Sequence, residues 1–345
     1  MSLRLTQFDG ASDPERLRAC YEIAVAGQPY DTPNEPPDSL ESFGIYWAHG
    51  FDDEPQETWL ACSDDGEPVG CYLLYLPLRR NPEVASCWLY VDPKVRRAGL
   101  GTELLRHCAD RARLAGRSRL RGSARDGSAG AAFAAVLGAR GGIDEVRRTM
   151  DVGPGLQARL AQLRAAAMPR AAGYEFVAWT GATPEEHLGE VALVRSAMSD
   201  APHDAGIQSR QWDAAMIREF DQEILGRGMR LYSVAALAGA TSDVVALTQM
   251  VVDPATPDWV FQQVTAVLPA HRGHRLGLLV KIAMLDLLAE HEPAVRHAYT
   301  GNAALNAHMI AINEQLGFTI SDVYRHWELD PTLVAADRLT AAHES

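Results

Sequence analysis

Val91-Asp92-Pro93-Lys94-Val95-Arg96-Arg97-Ala98-Gly99-Leu100-Gly101-Thr102 stands between a strand-like run and a helix-like run, and its reading decides the fold. Glycines at 99 and 101 let the backbone turn tightly and approach a ligand closely. The first amides of the following helix have no partner within it. Together with the helix dipole and the charges of Arg96 and Arg97, they suit an anionic group held on the backbone, as a phosphate is. An ordinary strand-to-helix turn looks much the same, so recurrence carries the weight. A second run, Val267-Leu268-Pro269-Ala270-His271-Arg272-Gly273-His274-Arg275-Leu276-Gly277-Leu278, repeats the pattern. Val91, Pro93, Arg96, Leu100 and Gly101 match Val267, Pro269, Arg272, Leu276 and Gly277, each run preceded by an apolar strand and followed by a Leu-rich helix.

The motif of Arg, two residues, Gly, one residue, Gly resembles the acyl-CoA pyrophosphate loop of the GNAT N-acetyltransferase superfamily. Asn302, Asn306, Met309, Asn313 and Leu316-Gly317-Phe318 resemble that family's second signature, a strand end, a helix and a Leu-Gly-Phe turn. The resemblance covers most of residues 1 to 330 as two copies, a layout found in actinobacterial acetyltransferases including mycothiol synthase. It implies an α+β fold with a mixed sheet in each of two tandem GNAT-like acyl-CoA N-acyltransferase domains. The expected boundaries are 1–152, a helical connector over 153–173, and 174–345.

The composition agrees with two soluble domains. A chain of 345 residues is long for one core, and 47% hydrophobic with 22% charged residues is ordinary for globular proteins. A net charge of −13 argues against a general nucleic-acid binder, draws cationic substrates, and also serves plain solubility. Cys20, Cys62, Cys71, Cys87 and Cys108 are odd in number and lack metal-type spacing, which predicts reduced thiols in a cytoplasmic protein. No apolar run approaches a membrane span, and Met1 to Gly10 lacks the regions of a secretion signal.

Local signals set the expected elements. Residues 3–8 read as a strand, and Asp13-Pro14-Glu15 as a cap opening a helix to about Ala26. A proline-rich loop spans 28–38, with a helix over Ser39–Ala48. Strands are expected at 58–63, 68–77 and 84–91, then a helix to about Leu114, a strand at 118–123 and a helix at 129–137, with 145–152 as the last strand of the first half. The second half restarts with a strand at 174–179, and Thr183-Pro184-Glu185 repeats the cap logic. Helices over 185–197 and 209–224 lead to strands at 230–236, 244–252 and 259–268.

The resemblance assigns co-substrate contacts in each half. In the first these are Val91 and Arg96, Arg97, Ala98, Gly99, Leu100, Gly101 and Thr102. In the second they are Thr265, Val267, Arg272, Gly273, His274, Arg275, Leu276 and Gly277, with Asn302 and Asn306. It implies an enzyme, an acyltransferase taking acetyl-CoA and a small-molecule primary amine, with no nucleic-acid or membrane partner, as a monomer or homodimer. Direct attack is expected, since no nucleophile elbow or Cys–His pairing is present.

The halves depart from the pattern in opposite ways. In the first, Gly127 and Ala134 match Asn306 and Asn313, and Leu137-Gly138-Ala139 replaces Leu-Gly-Phe, so that half is expected to hold CoA or be structural. The second keeps the asparagines but has Arg275 at the first loop glycine, read as tolerable because Arg fits an ordinary turn and adds a cation. The C-terminal half is therefore the expected catalytic one. Relatives place a tyrosine where Asn313 stands; Asn does not titrate, so Tyr324 is the substitute acid, with a packed strand ring as the alternative. Ala85 and Phe261 occupy the position of a base found in some relatives, leaving Gln263 and Thr265 on Phe261's face by strand alternation, with Glu83, Glu328 and Asp330 as other carboxylates. His271 and His274 lack a third ligand, so no metal is expected. The alternatives are a non-catalytic acyl-CoA-binding or regulatory protein and an aminoglycoside- or mycothiol-type amine acetyltransferase, with the acceptor pocket expected in 28–50 and 198–228.

Overall fold

A computed structural model describes residues 3–36, 39–50, 54–200, 208, 210–239 and 241–334. The chain forms, in order, β1 (Arg4–Phe8), α1 (Pro14–Asp31), α2 (Leu40–His49), β2 (Gln56–Cys62), β3 (Pro68–Tyr75), β4 (Val84–Val91), α3 (Leu100–Leu114), β5 (Arg119–Arg125), α4 (Ala129–Val136) and β6 (Arg140–Gly141). It continues with β7 (Glu145–Asp151), α5 (Leu156–Ala167), β8 (Tyr174–Thr180), α6 (Leu188–Ser196), α7 (Ala214–Gly226), β9 (Arg230–Ala238), β10 (Val244–Val252), β11 (Trp259–Val267), α8 (Leu276–His291), β12 (His297–Ala303), α9 (Ala307–Leu316) and β13 (Thr319–Leu329). Contacts divide it into two compact units, one of residues 1–144 with 322 onward, the other of residues 145–321.

Local chemistry sets the helix starts. Asp13 caps α1 by accepting from Arg16 N at 3.1 Å, and Ser39 caps α2 by accepting from Ser42 N at 3.0 Å. α1 outruns its expected end, because Pro29 is absorbed near the C-terminus and the Thr32 amide closes on Gln28 O at 2.9 Å. Thr183 does not repeat the Asp13 cap: Pro184 takes the cap position, and the Thr183 amide donates to buried Asp221 at 2.7 Å. α7 starts behind the Asp213 cap; the expected start, Ser209, lies outside the described residues.

In the first unit the strand order is β1-β2-β3-β4-β5-β13, antiparallel except for β4 with β5, and β6 adds to β13. α3 covers one face, with Leu100, Leu104 and Cys108 packed on Tyr72, Leu74 and Ala85; α1 and α2 cover the other with Ile23, Phe43 and Trp47. In the second unit the order is β7-β12-β11-β10-β9-β8, antiparallel except for β11 with β12. α8, α5 and α9 share one face of that sheet, and α6 and α7 the other. The mixed sheets and flanking helices are the expected class.

The units do not coincide with the sequence boundaries. Glu145–Asp151, expected to close the first half, pairs antiparallel with β12, from His297↔Asp151 to Ala303↔Glu145. β13 runs beside β5 from Tyr324↔Arg125 to Leu329↔Leu120. Each sheet thus takes a strand from the other half of the chain, and Leu160 and Ala167 of the expected connector are buried in the second unit's core. Among the described residues no helix is long and apolar enough to cross a membrane. All five cysteines carry free thiols.

Ending the chain after Ser321 should strip the first sheet of β13 and of the buried Val334, which packs on its core. Calorimetry should then show the first unit's unfolding transition lowered by more than ~10 °C or abolished, with the second unit's transition kept. An unchanged profile would contradict the exchange.

Candidate active site

β4 and β5 pair in parallel only from Val84↔Arg119 to Ser86↔Arg121, although β4 runs on to Val91 and β5 to Arg125. β11 and β12 do the same, pairing from Trp259↔His297 to Phe261↔Tyr299 and then parting. Beyond those points each pair diverges, and the facing N–H and C=O groups have no ladder partner on that side. Such groups call for a ligand or water.

Each longer strand leads into one of the twin loops. Arg97 and Gly99 have φ of 67° and 85°, and Gly273 and Arg275 have φ of 86° and 61°. Both turns therefore require two left-handed residues, filled by one Gly and one Arg in opposite order. This corrects the reading of Arg275 as an ordinary turn residue: its conformation costs a non-glycine roughly 1–2 kcal/mol. Gly99 and Arg275 are the N-caps of α3 and α8, and neither helix start has a side-chain cap. Arg96 Nε donates to Val91 O at 3.1 Å, and Arg272 Nε to Val267 O at 3.2 Å, an identical brace. A Cβ on Gly277 would stand 3.3 Å from Ile312 Cδ1 and 3.6 Å from Val267 Cγ2, so glycine lets α9 close on the loop. The first loop has a further tie. Arg96 binds the Asp31 carboxylate at 3.1 and 2.6 Å, and Arg125 Nε, at the end of β5, donates to Asp31 O at 2.9 Å. The end of α1 is thus fastened to both arms of the first divergence.

β11 has a bulge where β4 has none. Gln249 faces Val264 while Met250 faces Gln262, which leaves Gln263 as an extra, exposed residue. β4 keeps an unbroken register with β3, from Gly70↔Val91 to Tyr75↔Ser86. The bulge inverts the alternation: Val260 packs in the core under α8, whereas Val264 and Ala266 pack in the core under α6. Phe261 and Thr265 therefore face opposite sides, contrary to the alternation argument. Thr265 meets the Thr248 hydroxyl at 2.8 Å, and Gln262 Nε2 donates to the carbonyls of Gln249 and Val264 at 2.7 and 2.8 Å. Bulges re-aim a strand locally and recur beside active sites.

The second signature folds into a small polar group. Asn306 caps α9, accepting from Met309 N at 3.2 Å. Asn313 is fully buried, and its Nδ2 donates to Asn302 Oδ1 at 2.7 Å. Gly317 ends the helix in the left-handed region at φ 104°, between buried Leu316 and Phe318. A residue the sequence analysis passed over completes the group: Lys281 of α8, 1% exposed, donates from Nζ to Asn313 Oδ1 at 2.8 Å and lies 5.2 Å from the Phe318 ring. Burial alone pushes its pKa down to about 7. Its signal in the sequence is a single Lys inside the apolar run from Leu276 to Leu285.

The first unit builds these positions from other residues. Ser128, not Gly127, caps α4, accepting from Ala131 N at 3.3 Å. Counted from Gly101, Gly138 and the last parallel pair, Leu105, Ala134 and Ala124 stand where Lys281, Asn313 and Asn302 do.

Tyr324 lies in the first unit, buried in β13 opposite Arg125. His271 Nδ1 meets the Tyr174 hydroxyl and His274 Nδ1 meets Arg170 O, both at 3.0 Å. Among the described residues no cluster of His, Cys, Asp and Glu is placed to hold a metal. Of the expected acceptor segments, residues 37–38, 201–207 and 209 lie outside the described ones. A groove of about 560 Å³ in the second unit, lined by Gly153–Leu156, Arg159 and Gly317, sits at the far end of α9 from Asn306 and apart from the loop.

Residues 17–132 match the model of the acetyltransferase (GNAT) family. A solved "tandem GNAT protein from the clavulanic acid biosynthesis pathway (without AcCoA)" is 26% identical, with a TM-score of 0.78 over 96% of this chain and 99% of that one. A GCN5-related N-acetyltransferase from Sphaerobacter thermophilus shares the fold at 16% identity and a TM-score of 0.64, over 95% of this chain and 96% of that one. A GNAT-family acetyltransferase from Colwellia psychrerythraea does so at 12% identity and a TM-score of 0.54, over 94% and 99%. No curated protein sequence matches.

Two outcomes follow from the strained turn and the buried amine. Arg275→Gly should raise the second unit's stability by about 1 kcal/mol in chemical denaturation, by relieving the left-handed arginine. Between pH 7 and 10 the unfolded chain holds a proton on Lys281 that the folded chain has lost, so Lys281's own contribution to stability should climb with pH across that window. The rise should be on the order of several kcal/mol, and Lys281→Met should flatten it.

Proposed function

Taking the chain as a tandem acyltransferase of the GNAT family, we propose that its second unit transfers acetyl from acetyl-CoA to a primary amine of a small molecule by direct attack. In that step the amine nitrogen bonds the acetyl carbon, the carbon–sulfur bond breaks, the thiolate gains a proton, and the new amide nitrogen loses one. One observation carries the placement. The divergence of β11 from β12, the bulge at Gln263 and the Lys281–Asn313–Asn302 group meet in the second unit, whereas the first repeats only the divergence and the loop.

The residues present suit that co-substrate. Val267, Arg272, Gly273, His274, Leu276 and Gly277 would take the diphosphate through backbone amides at the start of α8, with Arg275 adding charge. Asn302 borders the divergence and would meet the acyl-bearing arm; Asn306 contributes by holding the start of α9. Acetyl-CoA would supply the activated acyl group. The first unit's loop, with Val91, Arg97, Gly99, Leu100, Gly101 and Thr102, would hold a CoA moiety without turnover or serve only the fold. An acidic chain favours a cationic acceptor, and aminoglycoside- or mycothiol-type amines are the second reading, on the net charge of −13.

Thiol release over a panel of amines, with acetyl-CoA titrated, tests the placement. Arg272→Ala should lower kcat/KM for acetyl-CoA by roughly 10-fold or more. Arg96→Ala should stay within about 2-fold of wild type in the same assay. Equal losses from both variants would refute the asymmetry, and tight binding with no thiol release on any amine would favour a non-catalytic acyl-CoA-binding protein.

A further inference from the structure

We propose that Lys281 is a positioning residue of the second unit: its ammonium fixes the hydrogen-bond direction of the Asn313–Asn302 pair, so that the Asn302 amide nitrogen is offered as a donor where β11 and β12 part. The inference rests on the acyl-transfer reading of this unit and adds to it the group that sets the polarity of the site.

An ammonium has donors and no acceptor, so the Asn313 atom 2.8 Å from Lys281 Nζ must be the oxygen. That leaves Asn313 Nδ2 facing Asn302 at 2.7 Å, and the Asn302 atom there must in turn be its oxygen. Both amide oxygens are consumed inside the protein, and Asn302 Nδ2 donates to no described residue. Asn302 lies three residues past Tyr299, the last residue of β12 paired with β11, so its strand has no partner on the divergent side. A donor at that place suits a carbonyl oxygen, or a sulfur that gains negative charge as its bond to carbon breaks.

The same chemistry shows what a neutral amine would do. Without its extra proton Lys281 can accept as well as donate, both amides are free to turn over, and Asn302 can then present oxygen instead of nitrogen. Charged groups on the packed elements do not hold the proton in place. Arg164 on α5 pairs with Asp286 of α8, Arg230 of β9 pairs with Glu292, and Arg159 of α5, Arg148 of β7 and Glu314 of α9 do not shift it; burial is the one cause of its weakened basicity. A bare buried cation is strongly disfavoured, and the first unit avoids one with Leu105, Ala134 and Ala124 at the equivalent positions. The same scaffold therefore folds without the polar chain. Its presence in one unit alone points to the site, not to the fold.

The test compares full-length wild type, Lys281→Met and Lys281→Arg in thiol-release kinetics from pH 6 to 9, beside acetyl-CoA calorimetry and thermal melts. Lys281→Met should bind acetyl-CoA within about 3-fold of wild type while kcat falls ~10-fold or more at pH 6. The ratio of wild-type to Lys281→Met kcat should shrink as pH rises, because wild type loses its own ammonium; the acceptor's titration cancels in the ratio. Lys281→Arg, a donor at every pH, should retain turnover with a ratio to Lys281→Met that does not change with pH. If a variant fails to fold, the ε-carbon NMR signal of Lys281 in the intact protein decides: it should titrate near neutral pH and move when acetyl-CoA binds. Wild-type kcat and pH profile in Lys281→Met, or a Lys281 signal blind to acetyl-CoA, would overturn the inference while leaving acetyl transfer in place. If Arg272→Ala leaves acetyl-CoA binding and turnover untouched, the reading of the second unit itself falls, a result separate from any Lys281 effect.

Discussion

The parting of two parallel strands is the constraint on which the rest depends. A strand that leaves its neighbour after three residue pairs strands a row of backbone donors and acceptors, and these are costly unless something extended lies along them. The loop that follows must then do two things within a few residues. It must reverse direction, which takes the two left-handed positions, and it must start a helix whose first amides stay open. The braces from Arg96 to Val91 and from Arg272 to Val267 tie each loop back to the strand that departed, so divergence and turn form one device.

One device in two settings separates what the fold needs from what chemistry needs. Both units keep the divergence, the braced arginine, the left-handed turn and the small glycine under the next helix. Only the second keeps the bulge in its longer strand and a polar chain behind it. Lys281 is informative because α8 is buried on nearly every side, where leucine would be more stable. An apolar set at the matching places of the first unit shows that packing does not call for the amine.

The sequence carried the local half of this structure. Twin loops, the Asp13 and Ser39 caps, and strand ends such as Val84–Val91 and Val244–Val252 are written in neighbouring residues, and the elements formed there. Pairing partners are not written that way. Alternation in Glu145–Asp151 specifies a strand but not its neighbour, so the crossing of β7 and β13 between halves was illegible, and with it the true surroundings of Tyr324. The bulge left a faint mark, the doubled Gln262-Gln263 in a mostly apolar strand, and strict alternation misassigned Thr265 because one extra residue inverts every later side chain. Arg275 misled for another reason: residue type alone does not disclose a left-handed backbone, and only the repeat of Gly99 at that place hinted at it.

The first unit's loop arginine has its charge met within the protein. A guanidinium held bidentately on a carboxylate has spent most of the field it could offer a diphosphate, and Arg96 is held so by Asp31. Gly27 keeps room for that pair, since a Cβ there would come within 3.1 Å of both partners. Arg125 grips the carbonyls of Tyr30 and Asp31 from the other arm of the divergence. An anion entering this loop would have to compete with Asp31 for the charge and repel its carboxylate at close range. Arg272 keeps the brace to Val267 and lies at the surface of its unit. The two loops share the left-handed turn and the brace, and in the first the arginine's charge is met by the Asp31 carboxylate. That carboxylate is supplied by the end of α1, which stands outside the loop motif in sequence.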